Sequence, residues 1–286
     1  MKVAYAGERG AFAELAAMEY FGKKCQYSAV GDFAAVFESV VNGNCNYGIV
    51  PIENSLAGSI HQNYDLLLES NTVITGEILL KIGHFLIANK NVKLKDLKNV
   101  FSHPQALAQC KNYLSKHKQL QAVPFSNTAA AVKKIKEEKI VDAAAIASMQ
   151  AAIDFNMNIL ASNIEDNKWN TTRFLIISAK AVKTVSNIKD VKTSIVFSTK
   201  NIPGALFKCL AVFALRDINL FKIESRPIHG RGFQYLFYLD LEGDMQQESV
   251  RNAINHLQEI TTFYRLLGSY KAGRIVQPCY NKRQVL

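Results

Sequence analysis

Short apolar stretches alternate with amphipathic ones along most of this chain, and that alternation restricts the fold more than any other feature. "KVAYAG" leads into "AFAELAAMEYF", "CQYSAV" into "DFAAVFESVV", and "YGIVPI" into a polar stretch. Within the second pair Phe33, Val36, Phe37 and Val40 fall at helical spacing. The rhythm returns where "NVFSHP" precedes "QALAQCKNYLSKH", "AVPFSN" precedes "TAAAVKKIKEE" and "AAAIAS" precedes "MQAAIDF". Strands that alternate with helices predict parallel α/β sheets. Two segments, "TVITGEILLKIGHFLIA" and "TRFLIISAK", are extended in character and read as crossings between two α/β lobes. Paired lobes leave a cleft, and a cleft at such an interface is where ligands bind by default.

Composition narrows the function classes. With 286 residues and 49% hydrophobic content, the chain can bury one large core or two modest ones. The apolar run in "MKVAYAGERG" is too short for the core of a signal peptide, and nothing approaches the roughly 18 apolar residues of a membrane span. Five cysteines without a Cys-x-x-Cys pair read as reduced cytosolic thiols, so a cytoplasmic location is expected. The net charge of +10 raises nucleic acid, an anionic surface or an anionic small substrate as a partner. Basic residues are interspersed with acidic ones, as in "KKIKEEK", without an aromatic stacking platform, which argues against nucleic acid.

The same reading removes most catalytic classes. "GERG" carries neither the dinucleotide fingerprint nor the phosphate-loop ending, so NAD and ATP are set aside and no cofactor is expected. The six histidines lack metal-site spacing, and no Gly-x-Ser-x-Gly elbow occurs, so neither a metal nor a hydrolase triad is expected. Polar residues instead gather at strand ends: Asn54 and Ser55, Ser102 and His103, then Ser126, Asn127 and Thr128. Each reads either as a helix cap or as part of a site where helix N-termini attract an anion. In "YGIVPIENSLAGSI", Pro51 is expected to end a buried strand so that Asn54 and Ser55 face the cleft. Gly58 suits either a close backbone approach or a plain loop.

From about residue 180 the chain becomes polar and Lys-punctuated, "AKAVKTVSNIKDVKT", as in a linker. After it, "SIVFST", "PGALFKCLAVFALRD", "NLFKIESRPIHG", "FQYLFYLDLEG", "QESVRNAINHLQEI" and "TFYRLLGSY" fill the ferredoxin-like βαββαβ order. Pro203 is expected in the first turn of its helix, where a missing N–H costs nothing.

Several separated motifs resemble one family. "GIVPIENSLAGSI", "SHPQALAQC" and "NTTRFLII" look like the Val-Pro-Ile-Glu-Asn-Ser, Ser-His-Pro-Gln and Asn-x-Thr-Arg-Phe blocks of monofunctional prephenate dehydratases. "GALFKCL" and "ESRP" look like the phenylalanine-binding elements of that family's ACT module. The resemblance covers nearly the whole chain. It departs at Ala11 and Ala13, which stand where the family commonly has Thr and Ser.

The resemblance implies an α/β fold: a two-lobed, periplasmic-binding-protein-like catalytic domain over 1–180, with lobe 1 at about 1–78 plus 172–180 and lobe 2 at about 79–171. A linker at 181–192, a ferredoxin-like βαββαβ (ACT) domain at 193–272 and a tail at 273–286 follow. The implied reaction removes the ring hydroxyl and ring carboxylate of prephenate to give phenylpyruvate, and aromatisation drives it, so positioning suffices. The resemblance makes Thr172 the proton donor or hydrogen-bond partner of the leaving oxygen, and has Arg173 bind a carboxylate. Asn54, Ser102 and Gln109 would complete the catalytic set, with Ser55, Ser126, Thr128, Asn170 and Phe174 around the substrate. In the ACT domain, Gly204, Ala205, Leu206, Glu224, Ser225, Arg226 and Pro227 would hold L-phenylalanine, in a homodimer or homotetramer. Arogenate dehydratase, in which an amino group replaces the substrate's keto group, is the alternative that turnover assays separate. A two-lobed binding protein without catalysis would leave the Thr-Arg-Phe block unexplained.

Overall fold

The computed structural model describes residues 1–22, 24–181, 190–228 and 234–278. The first apolar runs form β1 (Lys2–Ala6), α1 (Phe12–Phe21), β2 (Gln26–Val30), α2 (Phe33–Val41), β3 (Tyr47–Asn54), β4 (Gly58–Ser59), α3 (His61–Glu69) and β5 (Val73–Lys81). The next set is β6 (Phe85–Ala88), β7 (Asn99–Ser102), α4 (Pro104–Gln109), α5 (Lys111–Lys116), β8 (Gln121–Pro124), α6 (Thr128–Glu137), β9 (Ala143–Ala147), α7 (Met149–Asp154), β10 (Asn158–Ser162) and β11 (Thr171–Ser178). The last is β12 (Val191–Ser198), α8 (Ala205–Ala214), β13 (Leu220–Pro227), β14 (Tyr235–Glu242), α9 (Glu248–Ile260), β15 (Phe263–Lys271) and β16 (Ile275–Val276).

Among the described residues these strands form three sheets. The first runs β16-β5-β11-β3-β1-β2 with β4 folded back on β3; the second runs β10-β6-β9-β7-β8; the third runs β13-β14-β12-β15. β1 pairs in parallel with β2 and β3, and β7 with β8 and β9, as crossover helices require. β5 and β11 are the strands that lead to and from the second sheet, so the two extended crossings lie where the sequence places them. The third sheet has the ferredoxin-like order. Its core is Ile195, Phe197, Leu239 and Leu241 of the strands packed on Cys209, Val212 and Phe213 of α8 and Val250, Ile254 and Leu257 of α9.

The described residues divide into two compact units, the first holding Met1–Asn63, Ile78–Phe174 and the chain from Arg274, and the second Tyr64–Glu77 with Leu175–Gly273. This partition differs from the expected boundary near residue 180. Tyr64–Glu77 joins the ferredoxin-like sheet because Arg265 donates to the carbonyls of Leu68, Ser70 and Thr72, Arg226 grips Asp65, and Lys192 pairs with the enclosed Glu77 at 2.7 Å. Residues 182–189 of the expected linker lie outside the described residues. Val191 and Lys192, at its end, already belong to β12, where they pair with Lys271 and Tyr270. The expected tail contributes β16, which pairs with Leu79 and Leu80 of β5.

Two local expectations are corrected. β3 runs through Pro51 to Asn54, because the β1 ladder stops opposite Ile49 and the missing N–H of Pro51 falls beyond it. Pro203 lies in the turn before α8, whose N-cap is Gly204 at φ 75°.

Candidate active site

The first two lobes enclose a cavity of about 470 Å³ within the first unit. β3 and its hairpin bring Asn54, Gly58 and Ser59 to it; β11 brings Thr172 and Phe174; α4 brings Gln105 and Gln109; the start of α6 brings Asn127 and Thr128. Ala11, Phe12, Ala13, His84 and His103 complete much of the wall. No Asp, Glu, Lys or Arg is among its lining residues. Burial holds both His84 and His103 below the ordinary imidazole value, so the wall carries neutral donors and acceptors.

Asn54 organises these groups. It sits at a hairpin, since Asn54 pairs with Gly58, and its Oδ1 accepts from the backbone N–H groups of Leu56 at 3.1 Å and Ala57 at 3.0 Å. Two backbone donors leave no choice of orientation, so Nδ2 must be the outward donor. It donates to Thr172 Oγ1 at 3.0 Å and to Asn170 Oδ1 at 2.8 Å. Asn170 Nδ2 in turn donates to Gln109 Oε1 at 2.9 Å, which also lies 2.9 Å from Nε2 of His84. The Thr172 oxygen thus receives a hydrogen bond, and its own O–H is left to donate elsewhere. Gly58 has φ 82° with open space around a notional Cβ, so its backbone angle is what calls for glycine, and close approach plays no part.

The other expected residues separate clearly. Asn170 is fully buried behind Gln109 and Asn54, while Ser55 staples the hairpin to β11 by donating to Trp169 O and accepting from Thr171 N. Ser102 is buried and donates to Ile146 O at 2.6 Å, a contact inside the second lobe, and it is absent from the cavity lining. Ser126 is exposed and also absent from the lining. Arg173, between Thr172 and Phe174 on β11, does not line the cavity; alternation along a strand turns it to the other face. The expected capping role belongs to Asn127, which accepts from Ala130 N at 2.7 Å, and to His103, whose Nδ1 accepts from Gln105 N. His84 is not among the residues expected from the sequence, although its place in "KIGHFLIA", beside a run of wholly buried residues, marks it as a buried polar group.

In the second unit, Gly204 caps α8, and Ala205 and Leu206 line a hollow of about 110 Å³ with Ile202, Tyr235 and Phe237. Glu224, Ser225, Arg226 and Pro227 end β13, an edge strand. Glu224 pairs with Lys222 at 3.3 Å, and Arg226 is committed to Asp65 through two nitrogens at 3.2 and 2.7 Å.

This architecture is that of a two-lobed α/β enzyme with an appended ferredoxin-like unit. The sequence profile of the prephenate dehydratase family matches residues 3–182, and the chain belongs to that family of carbon–oxygen lyases. It is 47% identical over 279 residues to an arogenate dehydratase/prephenate dehydratase from Arabidopsis thaliana, covering 94% of this chain and 72% of that one. A bifunctional chorismate mutase/prephenate dehydratase from Aquifex aeolicus is 40% identical, with 94% and 73% covered. Among solved structures, a prephenate dehydratase from Arthrobacter aurescens in complex with L-Phe is 31% identical, with a TM-score of 0.88 and coverage of 95% and 90%. A structure described as a quorum-quenching acylase is 29% identical at the same TM-score, with coverage of 95% and 98%.

Proposed function

We propose that this chain converts prephenate to phenylpyruvate, water and CO2, with Thr172 hydrogen-bonding the departing ring hydroxyl. The observation that carries the reading is the fixed direction of the Asn54–Thr172 hydrogen bond, which leaves the Thr172 proton for a ligand. A threonine hydroxyl is a very weak acid, so it acts by strengthening its hydrogen bond as the C–O bond breaks. The ring carboxylate leaves as CO2, its electron pair enters the ring, and the hydroxyl departs as water after the net uptake of one proton from solvent. The dianionic substrate meets amide and hydroxyl donors, and the N-terminus of α6 at Asn127 and Thr128 adds a favourable dipole.

The same lining favours prephenate over arogenate, because no carboxylate among the lining residues awaits an ammonium group. An acyl-transfer reading is less well supported: Thr172 is bonded to an amide, which cannot act as the base that a hydroxyl nucleophile needs. Turnover of prephenate and arogenate by the purified protein tests the proposal. Phenylpyruvate formation with the larger kcat/KM on prephenate is expected, and turnover of neither substrate would overturn it.

The proposal extends to regulation by L-phenylalanine through the ferredoxin-like unit. The hollow beside Ala205 and Leu206 and the left-handed Gly204 support it, as does the phenylalanine-bound relative. Phe221 and Ile223, 48% and 44% exposed on the edge strand β13, support pairing of two copies. Calorimetry with phenylalanine tests this part, and no heat together with no inhibition at millimolar concentration would overturn it.

A further inference from the structure

We infer that His84 is a positioning residue of this site, holding the Gln109 carboxamide so that its N–H2 edge is left for the ligand. The kinetic consequence rests on the dehydratase reading; the geometry does not. Asn54 Oδ1 takes two backbone N–H donors, which cannot reverse. The direction then passes along the chain of amides, from Asn54 Nδ2 to Asn170 Oδ1 and from Asn170 Nδ2 to Gln109 Oε1. Flipping any one of the three would set donor against donor. Gln109 Oε1 is therefore an acceptor, and His84 Nε2, 2.9 Å away, must bring it a proton. His84 is the Nε2–H tautomer.

The rest of the ring is held for that one purpose. The backbone N–H of His84 donates to Glu165 at 2.8 Å, and its ring meets Phe12 edge to face at 5.7 Å. Nδ1 is enclosed and has no hydrogen-bond partner. An enclosed lone pair without a donor disfavours the folded state, and an apolar side chain of similar size would avoid that cost. The imidazole is thus poorly explained by stability and well explained by its Nε2–H. With Oε1 held by two donors, the Nε2 hydrogens of Gln109 are what remain for a carboxylate or carbonyl oxygen in the cavity that Gln109 lines. Without His84 one of the two restraints is lost, and the terminal torsion of Gln109, which is intrinsically broad, regains freedom.

The test uses the intact protein and the variants His84→Leu, His84→Gln, Gln109→Met and the double variant His84→Leu/Gln109→Met. In the wild type, nitrogen-15 spectroscopy of the imidazole should show a protonated Nε2 and a bare Nδ1 at neutral pH. His84→Leu should reduce kcat/KM about tenfold, mostly through KM, without lowering the melting temperature. His84→Gln, which returns an amide N–H, should recover most of the loss, and His84→Leu should add nothing in the Gln109→Met background. An Nδ1–H tautomer or an imidazolium in the wild type overturns the inference, as does a glutamine variant no better than leucine or full additivity with Gln109→Met. If the wild type turns over neither substrate, the dehydratase reading falls and the tautomer alone decides the assignment of His84.

Discussion

Ser148, at the start of α7 in the second lobe, donates its hydroxyl to the carbonyl of Gly10 in the first over 2.6 Å. The same oxygen accepts from Ala151 N at 3.0 Å, so a helix cap also serves as a tie between lobes. Gly10 has φ 82°, and a Cβ there would lie 2.6 Å from the Cα of Ala151. The ion pairs nearby, Lys133 with Glu8 and Arg9 with Asp154, have at least one well-exposed partner each and add little.

Gly10→Ala should therefore do more than strain one backbone angle. We expect a loss of about 2 kcal/mol of stability and a fall in kcat/KM of roughly tenfold, because the lobes must separate to admit the methyl group. Gly58→Ala is the control: it shares φ 82° but faces open space, so only the backbone cost of about 1 kcal/mol applies. Equal shifts in melting temperature for the two variants would remove the steric tie from the account.

Thr172→Val keeps the shape and removes the O–H, and should lower kcat by roughly 100-fold with little change in KM. It also leaves Asn54 Nδ2 without one acceptor, so the valine variant should melt lower than Thr172→Ser. Steady-state kinetics on the serine variant decide the matter, since a serine enzyme as slow as the valine one would take the hydroxyl out of the mechanism.

Glu14 supplies a pH dependence. Burial raises its carboxyl above the ordinary 4.5, against the opposing bond from Gly10 N at 2.6 Å. A carboxyl raised in the folded state favours folding below its ordinary value, and that contribution is lost as pH rises through the raised folded value. Denaturant melts from pH 4 to 7 should show Glu14→Gln gaining on the wild type as pH increases, then running parallel. A constant gap across that range would mean that Glu14 titrates alike in both states.

In the second unit, Asp65→Asn breaks the bidentate grip on Arg226, whose side chain is 15% exposed, and should cost about 1–3 kcal/mol. Arg226 belongs to the segment proposed to answer phenylalanine, so the same variant should shift the phenylalanine concentration for half inhibition by several-fold. Inhibition curves that superpose on the wild type would confine the Arg226–Asp65 pair to a structural role.

Much of this was readable from local pattern. The apolar runs of β1, β3 and β9 and the six slots of the ferredoxin-like unit follow from periodicity, because burial on one face or both leaves a mark within a few residues. Asn54 was legible locally, as a polar residue at the end of an apolar run, but Gln109 and Thr172 came only through resemblance, since 63 residues separate them along the chain and no spacing rule joins them. Ser102 shows the limit of composition: a serine before a helix can face a ligand or a neighbouring carbonyl, and here its hydroxyl donates to the carbonyl of Ile146. The transfer of Tyr64–Glu77 to the second unit depends on Arg265, nearly 200 residues later, which no local signal announces.

The amides of Asn54, Asn170 and Gln109 are aligned head to tail, each oxygen receiving what the previous nitrogen gives. Such a row is a neutral electret: its dipoles add, and its positive end is the Gln109 N–H2 edge at the cavity. Unlike a lysine or arginine, it attracts an anion without a net charge for mobile ions to shield, and its members are held too firmly to reorient. The chemical step should accordingly be nearly indifferent to salt, with kcat changing by less than about twofold between 0.05 and 0.5 M ionic strength, even though the chain as a whole carries a charge of +10.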